Sequence, residues 1–164
     1  MMKINQTIPD LELEIFQDGR IYKKPLKEFL NQWLILMFYP ADFSFICPTE
    51  LKEAAGKYSE VKKLSAEIIS ISTDSVLDHK KWHESSEVIR KITFPMAGDT
   101  KAEISKAFGV FLKKEGVAQR STFIFNPLGK LKAFEVHDNS IGRSISEIIR
   151  KLTALKYAAN ASRD

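Results

Sequence analysis

Residues 33–38 read Trp-Leu-Ile-Leu-Met-Phe, six apolar side chains in a row. No stretch of the chain constrains the fold more. A run with no polar position has no solvent face, so as a strand it must be covered on both sides. Pro40 then ends it, since proline cannot serve a central ladder. From Pro48 the period changes: Leu51, Ala54, Ala55, Tyr58, Val61 and Leu64 recur at three- and four-residue spacing, which predicts a helix to Leu64. A buried strand, a short loop and a long amphipathic helix make the first half of a strand–helix–strand unit.

The rest of the sequence continues the alternation. Glu67–Ser72 (EIISIS) predicts a second buried strand, and Ser75–Ser86 and Ala102–Phe108 predict two helices, the latter stopped by Gly109. Thr122–Phe125 and Leu131–Val136 predict a hairpin, joined by the turn residues of NPLGK. Ile145, Ile148, Ile149, Leu152 and Leu155 mark one face of a final helix from about Arg143 to Ala158. The predicted class is an α/β, thioredoxin-like three-layer sandwich. Its central sheet is mixed with helices on both faces, its antiparallel strands lie on one side, and Met1–Leu30 forms an N-terminal extension. The length of 164 residues suits one domain over 1–164, and no Pro/Gly/Ser-rich linker divides it.

Charge excludes some functions. The net charge of +4 is spread along the chain without a block of like charges, so neither a nucleic-acid nor a membrane footprint is expected. Residues 1–10 lack the apolar core of a signal peptide, and the longest apolar run is far shorter than a membrane span. The expected location is cytoplasmic, where an unpaired thiol stays reduced. His79 and His83 stand four apart on a predicted helix, a metal-capable spacing with no third ligand nearby. They read as a solvated helix face, and no metal is predicted.

The chain has one cysteine, Cys47, at the junction of the short loop and the long helix. A lone cysteine is most often a small buried hydrophobe. This one stands at the carboxyl end of a central strand, where open α/β sheets bind ligands. It also opens a helix, whose free N–H groups and dipole stabilise an anion. A thiolate is the nucleophilic form of cysteine. As the only cysteine it forms no internal disulfide.

The words around Cys47 sharpen the case. Phe38–Glu50, FYPADFSFICPTE, resembles the active-site segment of the peroxiredoxins, whose Pro-x-x-x-Thr/Ser-x-x-Cys pattern is met by Pro40, Ser44 and Cys47. Gly116–Phe125 (GVAQRSTFIF) resembles that family's second signature, with its arginine at Arg120. Glu135–Ser144 (EVHDNSIGRS), His79–Glu87 and Phe94–Asp99 resemble the alkyl hydroperoxide reductase C and typical two-cysteine branch.

The resemblance implies a thiol-dependent peroxidase for hydrogen peroxide and organic hydroperoxides. Cys47 would cycle through sulfenic acid. Ser44 would hydrogen-bond the thiolate and the peroxide, and Pro40 would shield the sulfur. Arg120 would follow the charge from sulfur to oxygen. Glu50 would orient Arg120, and Arg143 would brace the active-site loop from outside. No bound cofactor is implied; an external thiol reductant is required, a thioredoxin-like protein or a flavoprotein disulfide reductase. A homodimer assembling to a decamer is expected by the same resemblance.

The sequence also departs from that branch. It has no resolving cysteine, either because the protein works with one cysteine or because the chain is truncated. The Gly-Gly-Leu-Gly segment of overoxidation-sensitive relatives is missing, so Cys47 is expected to resist overoxidation. A thioredoxin-type disulfide oxidoreductase needs Cys-x-x-Cys, and Glu50 stands at the second position. A chaperone ring or a peroxide sensor are the non-enzymatic alternatives.

Overall fold

Trp33–Phe38 forms β3, and all six of its side chains are buried. A computed structural model of the chain, describing residues 1–161, shows why. Trp33, Ile35, Met37 and Tyr39 enter one core, Leu34, Leu36 and Phe38 the other, as the two-residue period of a strand requires. Burying such a side chain fully is worth about 1.5–3 kcal/mol, so this strand anchors both layers of packing.

The other elements assemble around it. Glu12–Gln17 (β1) and Arg20–Pro25 (β2) form an antiparallel hairpin. After β3 come α1 (Ile46–Lys63), β4 (Ala66–Ser72), α2 (Val76–Ser85), β5 (Met96–Gly98) and the short α3 (Glu103–Ala107). A small separate ribbon pairs β6 (Phe111–Leu112) with β7 (Val117–Ala118). The chain closes with β8 (Ser121–Phe125), β9 (Leu131–Val136) and α4 (Ile145–Ala161). The sheet order is β2-β1-β5-β4-β3-β8-β9, with β3, β4 and β5 parallel.

One face of the sheet is covered by α1, α2 and α4 through Leu51, Ala54, Val61, Trp82, Ile148 and Leu152. The opposite face is covered by α3 with Phe108, and by the N-terminal residues Leu26 and Phe29. The mixed three-layer sandwich expected from the alternation is therefore present. Two details differ. The N-terminal extension is no appendage, since β1 pairs antiparallel with β5 and continues the sheet. Antiparallel strands thus flank the parallel centre on both sides. Helix bounds shift by a few residues at their ends: Ser75 is the N-cap of α2, and α4 starts at Ile145.

Three alignments in this frame position the site. The β3–β4 register pairs Phe38 with Ile71, so both strands end at the same level. The β3–β8 register pairs Phe38 with Ser121, which places Arg120 beside the exit of β3. Gly98, at the end of β5, lets the β4–α2 junction approach: a Cβ there would lie 2.9 Å from the Asp74 carbonyl oxygen and 3.1 Å from the Val76 nitrogen.

Candidate active site

Cys47 occupies the first turn of α1, directly beyond the carboxyl end of β3, and is fully buried. No side chain caps this turn and no acid stands in it. The contrast with α2 is informative, because Ser75 and Asp78 there form a complete capping box. At α1 no side chain occupies the dipole end, where Cys47 is the second residue of the helix.

Arg120 Nη1 lies 3.4 Å from Cys47 Sγ. The same nitrogen donates to Glu50 Oε1, and Nη2 donates to the Asn139 carbonyl at 3.0 Å. Asn139 also accepts the Arg120 backbone N–H through Oδ1 at 2.7 Å, so the residue is held at both ends. Arg120 Nε is a buried donor with no partner among the described residues.

Glu50 stands three residues, one turn, after Cys47. Its Oε2 accepts from Arg143 Nε at 2.6 Å and from the Arg143 backbone N–H at 2.7 Å. Arg143 in turn donates through Nη1 to the Ser121 carbonyl at 2.6 Å and to Thr122 Oγ1 at 3.2 Å. One carboxylate thus ties the start of α4, the start of β8 and the first turns of α1 together. Glu50, Arg120 and Arg143 are 3%, 2% and 6% exposed, so the cluster is desolvated. Two guanidinium groups against one carboxylate leave one positive charge, next to the sulfur.

Each expected site residue is placed as follows. Cys47, Arg120 and Glu50 come together as expected. Arg143 joins them from inside the fold rather than from outside; its side chain is fully buried because Glu50 and Ser121 draw it under the loop. Pro40 is half-buried at the exit of β3. Ser44 sits in the same loop, but its hydroxyl donates to the Ala41 carbonyl at 3.0 Å, not to Sγ, among the described residues. The loop contains Phe43 in the left-handed region, φ 58°, with its ring 5.7 Å from that of Trp82.

The histidine reading needs correction. His79 is not on a solvated face: it is completely buried, and its Nδ1 lies 2.6 Å from Asp42 Oδ2. His83 is half-buried, with Nε2 3.0 Å from the Ile92 carbonyl oxygen. The helical period holds, but neighbouring Lys80 and Lys81 disguise which side faces inward. Sequence reasoning misses Asp42 and Asn139, although both lie inside the segments that resemble the family. Their partners are 37 and 19 residues away, too far for local pattern to reveal.

Comparison with known proteins agrees with this geometry. Residues 4–134 match the AhpC/TSA family. The chain is 39% identical over 159 residues to alkyl hydroperoxide reductase C of Pseudomonas aeruginosa, covering 97% of this chain and 85% of that protein. It is 40% identical over 157 residues to alkyl hydroperoxide reductase C of Bacillus subtilis, covering 96% and 84%. Among solved structures, Enterococcus faecalis AhpC superposes with a TM-score of 0.95 at 39% identity, covering 98% of this chain and 96% of that one. The reduced 2-Cys peroxiredoxin of Plasmodium vivax superposes with a TM-score of 0.91 at 25% identity, covering 96% and 98%. With a buried sulfur in the first turn of α1, a buried arginine pair beside it and this likeness over nearly its whole length, the chain belongs to the AhpC/TSA family.

Proposed function

We propose that this protein is a thiol-dependent peroxidase that reduces hydrogen peroxide and organic hydroperoxides, with Cys47 as its nucleophile. The observation that carries the reading is the Arg120 guanidinium, buried and 3.4 Å from Sγ, with its own Nε donor unpartnered among the described residues. The sulfur has one charged neighbour in place, and a donor remains for an incoming oxygen.

The chemistry balances in two stages. The Cys47 thiolate attacks one peroxide oxygen; the S–O bond forms as the O–O bond breaks. The leaving oxygen takes a proton and departs as water or alcohol, and Cys47 becomes sulfenic acid. Arg120 stabilises negative charge as it moves from sulfur to the leaving oxygen. Glu50 and Arg143 act through Arg120 and fix its plane. Pro40 keeps water from the sulfur. Ser44 reaches the peroxide once its hydroxyl turns from Ala41, a rotation about one side-chain bond.

In the second stage an external thiol attacks the sulfenic sulfur, releasing water and leaving a mixed disulfide. A second thiol restores Cys47 and leaves as half of a disulfide. Cys47 is the one cysteine of these 164 residues, so the second thiol comes from outside them. A thioredoxin-like protein or a flavoprotein disulfide reductase suits that role, and the site needs no bound cofactor. Self-association to a dimer and a decamer is part of the proposal, supported by the exposed rings of Phe43 and Phe45 beside the site. Among the described residues no helix is long and apolar enough to cross a membrane.

Trapping with a sulfenic-acid-specific dione after one equivalent of peroxide tests the first stage. Mass analysis should place the adduct on Cys47; an unmodified Cys47 contradicts the proposal.

A further inference from the structure

One residue ties down the loop that carries Pro40 and Ser44. Asp42 is 7% exposed, and its Oδ1 accepts from the Tyr39 hydroxyl at 2.6 Å. Its backbone N–H donates to Asp74 Oδ2 at 2.8 Å, and that oxygen also accepts from Ser72 Oγ at 2.7 Å. Its Oδ2 faces His79 Nδ1 at 2.6 Å. His79 comes from α2, and its Nε2 stands 2.9 Å from the Ala97 carbonyl oxygen of β5. The contacts join the loop to the residue after β3, to the β4–α2 junction, to α2 and, through His79, to β5.

Counting protons shows what this arrangement requires. The Ala97 carbonyl can only accept, so Nε2 carries a hydrogen. Nδ1 meets a carboxylate oxygen at hydrogen-bond distance, so a second hydrogen lies between them. A neutral imidazole has one N–H. The pair therefore holds one proton more than a neutral histidine with an ionised aspartate. Tyr39, donating to Oδ1, favours the carboxylate form, and the proton then sits on Nδ1.

We propose that Asp42 and His79 form a proton-held clasp that keeps the active-site loop closed over Cys47, which makes both of them positioning residues for the peroxide reaction. The proposal rests on Cys47 being the peroxide-reactive residue. Removing the extra proton leaves one N–H for two acceptors: a bare Nδ1 faces the Asp42 carboxylate at 2.6 Å or a bare Nε2 faces the Ala97 carbonyl at 2.9 Å, and either buried contact turns repulsive. The loop then has reason to open, because Phe43 next to Asp42 holds a left-handed backbone unusual for a bulky residue.

The surrounding charges support a retained proton. Burial opposes the charge on His79, but its hydrogen bond to Asp42 and that carboxylate's charge outweigh burial, and its pKa is raised above 6.5. Asp74 acts in the same direction. Burial raises Asp42 as well, against the lowering pull of His79. Tyr39, raised far above its ordinary range by burial, remains a donor. On α2 itself, Asp78 is occupied by its capping box with Ser75.

The test compares two reactions of the full chain, oxidation by hydrogen peroxide and alkylation by iodoacetamide. Both need the thiolate, so their ratio cancels the ionisation of Cys47 itself. A closed loop favours the small peroxide at an aligned Arg120; an open loop favours the bulkier reagent. In wild type the peroxide-to-alkylation ratio should fall as pH rises from neutral into the alkaline range. In Asp42→Asn and His79→Gln it should be about tenfold lower at neutral pH, the loss expected for a buried charged hydrogen bond, and flat with pH.

A wild-type ratio that is constant with pH, or variants that keep the wild-type ratio, overturns the clasp. Should the variants fail to fold, nitrogen-15 spectra of wild-type His79 decide. Two protonated ring nitrogens at neutral pH support the clasp, and a bare Nδ1 or a bare Nε2 overturns it. Failure of the underlying reading looks different: the wild-type peroxide rate would match that of free cysteine, while alkylation alone, variant against wild type at one pH, would still judge the clasp.

Discussion

Arg120 reaches Cys47 Sγ and Glu50 Oε1 with a single nitrogen, Nη1. The sulfur is thereby joined to a buried carboxylate through one guanidinium group. That carboxylate is in turn held by Arg143 at 2.6 Å. Charge on the sulfur and the packing of three chain segments are consequently coupled.

Removing Glu50 should separate these roles. In Glu50→Ala two buried guanidinium groups lose their common partner, and breaking a buried pair costs about 3–5 kcal/mol. Urea unfolding should show this loss, and the reaction of Cys47 with peroxide should slow as well. Glu50→Gln keeps the shape and should lie between the two. An alanine variant as stable as wild type would contradict the assigned role.

Ser44 now hydrogen-bonds Ala41 at 3.0 Å. If its hydroxyl turns to the peroxide during reaction, Ser44→Ala should slow oxidation by roughly tenfold, the worth of one net hydrogen bond. Ser44→Thr should preserve the rate, because threonine keeps the hydroxyl and has a stiffer χ1. Stopped-flow oxidation checks both. An alanine variant that reacts at the wild-type rate would leave Ser44 as a loop residue alone.

Global stability should depend on pH through His79. Its pKa is raised in the fold. The folded chain therefore keeps a proton that the unfolded chain releases near 6.5, the ordinary histidine value. This contribution is complete below that pH and declines as pH rises through the raised value. Thermal midpoints of wild type should fall between neutral and alkaline pH, and those of His79→Gln should fall less. Parallel curves for the two proteins would contradict the sign.

Ser75 provides a control without chemistry. Its Oγ accepts from the Asp78 N–H at 3.1 Å while the Asp78 carboxylate accepts from the Ser75 N–H at 3.2 Å. Ser75→Ala should cost about 1 kcal/mol, typical of a lost N-cap. For a chain of this size that lowers the melting midpoint by about 2–4 °C. The peroxide rate should not change. Calorimetry and stopped-flow measurement together check this.

What the amino-acid order makes legible depends on reach along the chain. Trp33–Phe38 declares itself because a strand buried on both faces has no polar position. Cys47, Pro40, Ser44, Arg120 and Glu50 are legible from two segments and the spacing within them. The β1–β2 hairpin is not, because β2 (RIYKKP) is a largely exposed edge strand with little apolar period. β5 is three residues long and pairs between strands that are far apart in sequence. Arg143 looks like surface, between Gly142 and Ser144 at a helix start, until the fold sets Glu50 beneath it. His79 is inward only because Asp42 meets it from a loop 37 residues earlier.

Stopped-flow oxidation of the reduced protein by hydrogen peroxide, comparing wild type with Arg120→Ala and Cys47→Ser, tests the role of Cys47 most directly. The wild-type rate should be orders of magnitude above that of free cysteine. Arg120→Ala should lose about 10²–10³ in rate, the usual effect of removing one donor to developing charge. Cys47→Ser should show no reaction. A wild-type rate equal to that of free cysteine, or an Arg120→Ala variant as fast as wild type, would contradict a peroxidase built on Cys47 and Arg120.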